Sequence, residues 1–81
     1  MKGKYNKTRR LTEKDRKLAD QIRKIRTGKG LTQEELSGLI TNNNLNYIAH
    51  IETYQRGLSL IRVFQIAKAL EVEVKELFDW D

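Results

Sequence analysis

The sequence predicts an all-α domain of five helices, two of them joined by a tight polar turn. Three observations carry this. Apolar residues recur at helical spacing, capping residues mark the helix starts, and a run of asparagines separates the second segment from the third.

The first helix starts at Thr12, an N-cap with acids in the following turn and Asp15 at the capping-box position. Leu18, Ile22 and Ile25, with Ala19 beside them, form a narrow apolar stripe. Arg16, Lys17, Arg23, Lys24 and Arg26 fall on other faces, and Gly28 and Gly30 end the helix.

A second helix follows Thr32, whose hydroxyl caps it and whose capping-box partner is Glu35. Gln33 takes the first helical position with its amide free to point outward, and Leu36, Leu39 and Ile40 supply the apolar stripe. Thr41, Asn42, Asn43 and Asn44 are turn chemistry, because asparagine hydrogen-bonds locally and tolerates left-handed backbone angles.

The third helix is expected to start near Asn44, with Ile48 and Ile51 inward and Leu45, Asn46, Ala49 and His50 on or near its outward face. Two short helices around such a turn form a helix-turn-helix, whose second helix is shaped for the DNA major groove. Ser59 caps a fourth helix, in which Leu60, Val63, Phe64, Ile66, Ala67 and Leu70 make a broad apolar surface suited to burial, Phe64 included. Glu73 opens a short last helix carrying Val74, Leu77 and Phe78, with Trp80 just beyond. On so small a domain this apolar end is a candidate dimer interface.

Charge is unevenly spread. Residues 1–30 hold twelve Lys/Arg against three Asp/Glu, a net of +9, whereas residues 31–81 hold four against eight, a net of −4. Such asymmetry points to a polyanion met mainly from one side. Residues 1–10 are expected to form a flexible basic arm lying along phosphates or in a minor groove, ahead of a DNA-binding and dimerisation domain at 11–81.

Several classes fall away. Without cysteine, and with His50 as the single histidine, neither a disulfide framework nor a zinc site can be assembled. No nucleophile–base pair stands out, so neither an enzyme nor a cofactor is expected. No apolar run reaches the roughly 18 residues of a membrane span. A cytoplasmic protein is expected.

LTQEEL at 31–36, YIAHIE at 47–52, SLIRVFQIAKAL at 59–70 and VEVKELF at 72–78 resemble the Xre branch of the lambda-repressor-like DNA-binding domains, over residues 22–78. Within it, YIAHIET-x-x-RGLSL resembles the controller proteins of restriction-modification systems. The resemblance implies a five-helix lambda-repressor-like fold and a homodimeric transcription regulator on a roughly palindromic double-stranded operator. RNA polymerase is a further candidate partner. An antitoxin or phage-type repressor of the same fold, or a protein-interaction module, is the alternative.

Carried onto this chain, Leu45 and Asn46 take the base-reading positions, with Ala49 one turn on. Asn46 suits adenine and Leu45 a thymine methyl. Arg56, followed by a glycine that permits a sharp turn, is the candidate for a two-point contact to guanine. Expected backbone contacts are Thr32, Gln33, Asn44, Tyr47, His50, Gln55 and Arg26, with Tyr54 a further candidate. Glu52 is expected to pair with a basic residue or cap the loop after it. The chain departs from the family in a turn one residue longer, with Thr41 or Asn42 in place of a glycine, and in Leu45, where controllers often carry arginine.

Overall fold

The computed structural model describes residues 11–80. The basic arm expected at residues 1–10 lies outside them. Five helices follow one another: α1 Glu13–Gly28, α2 Gln33–Ile40, α3 Tyr47–Glu52, α4 Leu60–Leu70 and α5 Val74–Leu77. Their starts are locally encoded. Thr12 and Thr32 form capping boxes with Asp15 and Glu35, and Ser59 Oγ accepts from the Arg62 amide. Each such cap satisfies N–H groups that the helix leaves unpaired.

Helix α3 lies between α1 and α2, α2 packs on α4, and α5 closes the base against α4 and α1. Leu18, Ala19 and Ile22 of α1, Leu36 of α2, Tyr47, Ile48 and Ile51 of α3, Val63, Ile66, Ala67 and Leu70 of α4, and Leu77 of α5 form one buried core. Gln21 Nε2 donates to the carbonyls of Glu76 and Asp79, which ties the end of α5 to α1.

Several expectations are corrected. Leu39 is 62% exposed, because the inward face of α2 is centred on Leu36, Ser37 and Ile40 and leaves Leu39 to one side. Leu60 and Phe64, expected in the buried surface of α4, are 71% and 52% exposed, and Ile61 beside them is 65% exposed. The buried face of α4 runs through Val63, Ile66, Ala67 and Leu70, and the other three fall outside it. In the last helix Leu77 is fully buried in its own domain, and Val74 and Trp80 pack half-buried against that core. Of the four residues expected to meet a partner, only Phe78 is exposed, in contact with the Trp80 ring.

Left-handed backbone occurs where the sequence did not signal it. Gly30 adopts it after α1, at φ 76°, but the other two sites among the described residues are Tyr54 at φ 64° and Glu71 at φ 60°. Neither the asparagines of the turn nor Gly57 takes such an angle. Tyr54 is held there by the bond from its hydroxyl to Asp20 of α1. Glu71 closes α4 in a Schellman-like turn in which the Val72 amide reaches back to the Ala67 carbonyl.

Candidate DNA-binding surface

The helix-turn-helix is fastened at three points. At the first, the Arg26 guanidinium at the end of α1 meets the Glu52 carboxylate at the end of α3 through two bonds, Nε to Oε2 at 2.7 Å and Nη2 to Oε1 at 2.9 Å. Its Nη1 donates to the Leu31 carbonyl at 2.7 Å, and Gln33 Nε2 donates to Glu52 Oε1 at 2.9 Å. One carboxylate thus fixes the end of α1, the start of α2 and the end of α3. The expected phosphate contact from Arg26 is corrected: its guanidinium is buried and committed to Glu52. Glu52 takes the pairing role expected of it.

At the second point, Ser37 Oγ is fully buried and accepts from the Ile48 amide at 2.9 Å. Helix α3 has no side-chain cap of its own, since Asn46 at the N-cap position makes no such bond. Helix α2 supplies the cap instead, and the exposed Asn46 side chain is left available. The turn is stitched locally. Asn44 Oδ1 accepts from the Asn46 amide at 3.1 Å, and Thr41 Oγ1 accepts from the Asn43 amide at 3.3 Å. These bonds accommodate the longer turn with no residue in left-handed geometry. Helix α3 starts at Tyr47, three residues beyond the expected Asn44, so Leu45 and Asn46 sit in the last bend before it, both exposed.

The third point is Tyr47. Its side chain is buried, and the Arg56 and Arg62 guanidinium carbons each lie 5.0 Å from its ring centroid. Burial pushes the phenol above its usual pKa, with the two arginines pulling the other way. The group therefore stays protonated at neutral pH and keeps an O–H to donate.

Residues 22–77 match the family described as Helix-turn-helix. Solved structures are similar across most of the chain. The restriction-modification controller protein C.AhdI from Aeromonas hydrophila is 38% identical, with a TM-score of 0.72 over 79% of this chain and 96% of its own. The wild-type controller protein C.Esp1396I is 35% identical, with a TM-score of 0.76 over 85% and 88%. The chain belongs to the helix-turn-helix family of restriction-modification controller proteins. The C.Esp1396I tetramer in complex with its natural 35 base-pair operator is also similar, at 32% identity and a TM-score of 0.70, over 85% of this chain and all of that one. No curated protein sequence matches.

With the family fixed, the expected site residues sort by what they touch. Leu45, Asn46, Gln55 and Arg56 are exposed, whereas Ala49 and His50 are half-buried along α3. Thr32 Oγ1 accepts from the Glu35 amide, which leaves its hydroxyl hydrogen free. The Gln33 amide is not free to swing outward as expected. Glu52 takes one of its two N–H groups, which fixes where the other points. Asn44 uses its carbonyl oxygen inside the turn and keeps its NH2. Tyr54 is not a free backbone contact, being tied to Asp20. Gln55 donates to Thr53 Oγ1 at 2.9 Å.

Two contributors escaped the sequence reading. Ser37, buried on α2, and Arg62, half-buried on α4, drew no expectation from the sequence. The available signal for Arg62 was its rarity, since only four basic residues stand in 31–81. Among the described residues no cluster of His, Cys, Asp or Glu is placed to hold a metal ion, and no helix is long and apolar enough to cross a membrane.

Proposed function

We propose that this controller-family protein is a sequence-specific transcription regulator that binds a roughly palindromic operator as a dimer in the cytoplasm. The observation that carries the reading is the transfer of the α3 cap to Ser37. It leaves the Asn46 side chain unengaged, beside the exposed Leu45, at the entry to a helix clamped by Arg26 and Glu52. A rigid helix with unengaged side chains at its leading end suits base recognition in the major groove. Gln33 and Thr32 at the start of α2 meet phosphate, aided by the positive end of that helix. Arg56 reaches a base edge from the following loop.

The dimer surface is the exposed apolar edge of α4, formed by Leu60, Ile61 and Phe64, with Phe78. Four large apolar side chains left in water on so small a domain mark an association surface. A twofold dimer sets two α3 helices roughly 34 Å apart, one turn of DNA. The likeness to a controller solved on its operator as a tetramer supports both parts of the reading.

The test is selection of bound duplexes from a random pool by the purified protein at moderate salt. An enriched sequence with two related half-sites is expected. Binding without enrichment would leave only charge-driven contact, and no binding would leave the helix-turn-helix as a scaffold for protein partners.

A further inference from the structure

Arg56 and Arg62 share the Tyr47 ring, each 5.0 Å from its centroid, and neither has a carboxylate partner among the described residues. Two like charges gathered on one small aromatic are unfavourable by themselves, and an anion between or beside them removes the repulsion. The setting sharpens the contrast, because residues 31–81 are net negative and these are two of their four cations.

Arg62 is held in place. Its Nη1 donates to Gln65 Oε1 at 2.9 Å and to the Ile40 carbonyl at 3.4 Å, while the ring faces the guanidinium carbon. A guanidinium has five N–H donors, so three remain unused. Among the described residues the Tyr47 hydroxyl has no hydrogen-bond partner. Because no buried side-chain polar atom is left unpaired among the described residues, this hydroxyl reaches the surface. A held guanidinium and an unpaired O–H thus belong to one ring contact, which Arg56 shares, on the residue that follows Asn46 directly in the chain.

We infer that Arg62, a residue of α4 outside the helix-turn-helix, is a DNA-phosphate ligand that works with the Tyr47 hydroxyl on one backbone phosphate per protomer. A guanidinium fork and a phenol match the donor pattern a phosphate diester accepts. The Tyr47 ring then serves both arginines. It presents Arg62 to the backbone and steadies Arg56 for the base edge, which couples position along the duplex to readout. The inference rests on the DNA-binding reading above.

The test separates the two. The full chain is titrated with a random-sequence duplex at salt concentrations between about 50 and 200 mM, where each phosphate neutralised contributes about 0.9 to the slope of log affinity against log salt. Arg62→Gln and Arg62→Met are both measured, the second keeping an unbranched stem over the tyrosine. Each is expected to bind the random duplex more weakly and to lose about one from the slope per protomer, whereas Arg62→Lys keeps the slope. Tyr47→Phe is expected to weaken binding with the slope unchanged. A merely structural role would lower affinity without removing a counterion. If either cooperatively melting neutral variant keeps the parent slope, Arg62 is not a phosphate ligand, although the DNA-binding reading stands. A parent protein without salt-dependent DNA affinity overturns both.

Discussion

Arg26 and Glu52, twenty-six positions apart in sequence, form a two-point ion pair of 2.7 and 2.9 Å with both side chains nearly excluded from water. Each guanidinium edge and each carboxylate oxygen is engaged, and Leu31 and Gln33 complete the set. Removing one partner leaves the other charge buried. Arg26→Ala is therefore expected to lower stability by about 3–5 kcal/mol, read by denaturant unfolding. A loss under about 1 kcal/mol would mean that the pair behaves as a surface bridge.

Ser37 presents a smaller version of the same problem. Replacing it with alanine removes the only side-chain acceptor for the Ile48 amide at a fully buried position. Ser37→Ala is expected to cost about 1–3 kcal/mol. Faster hydrogen exchange at the Ile48 amide than in the parent protein is also expected. Unchanged exchange there would show that α3 finds another cap.

Gln33 and Arg56 are expected to fail differently. Arg56→Ala should cost about 1–3 kcal/mol and relax preference at one base position of the selected operator. Gln33→Ala should weaken all sequences alike, because a phosphate contact carries no base information. Competition between operator and random duplex distinguishes the two. An Arg56→Ala protein with full sequence preference would move Arg56 to the backbone contacts.

The helix starts were legible where caps are local, and missed by three residues at α3, which has no side-chain cap from its own N-cap residue. Thr12, Thr32 and Ser59 act on amides three residues away, a distance that a sequence window spans. The inward residues Leu36, Ile48 and Ile51 were legible for the same reason, since periodicity is local too. What escaped was long-range: Ser37 on Ile48, Arg26 and Gln33 on Glu52, Arg62 on Tyr47, Tyr54 on Asp20. Each joins different elements, and nothing in the spacing of either residue announces the other. Phe64 shows a second limit. A sequence pattern marks a side chain as apolar without saying whether its own domain or a partner covers it.

Glu71 is a candidate for improvement. It sits at φ 60°, ψ 43° as the C-cap of α4, exposed, and shares a surface pocket with Leu39 and Ile40 at the end of α2 rather than with the exposed Asn46 and Arg56. A side chain in that region costs roughly 1–2 kcal/mol, partly offset because glycine has more freedom to lose on folding. Glu71→Gly is expected to raise stability by up to about 1 kcal/mol, an increase in melting temperature of about 4–8 °C. DNA affinity should not change. A lower melting temperature would show that the Glu71 side chain does more than occupy the turn.

The proposed interface also yields a contrast. Phe64 is 52% exposed in the single chain, whereas Leu77 is fully buried. A charge at Phe64 therefore meets water in the monomer and desolvation only in the dimer. Phe64→Glu is expected to keep the helical circular dichroism and the monomer fold, yet to sediment as a monomer where the parent sediments as a dimer. Operator affinity should fall with it, because two half-sites no longer bind as a unit. Leu77→Ala should instead lower stability by about 2–5 kcal/mol through the cavity it leaves. A Phe64→Glu protein that still dimerises would return the interface to the end of the chain, with Phe78 as the first residue to change.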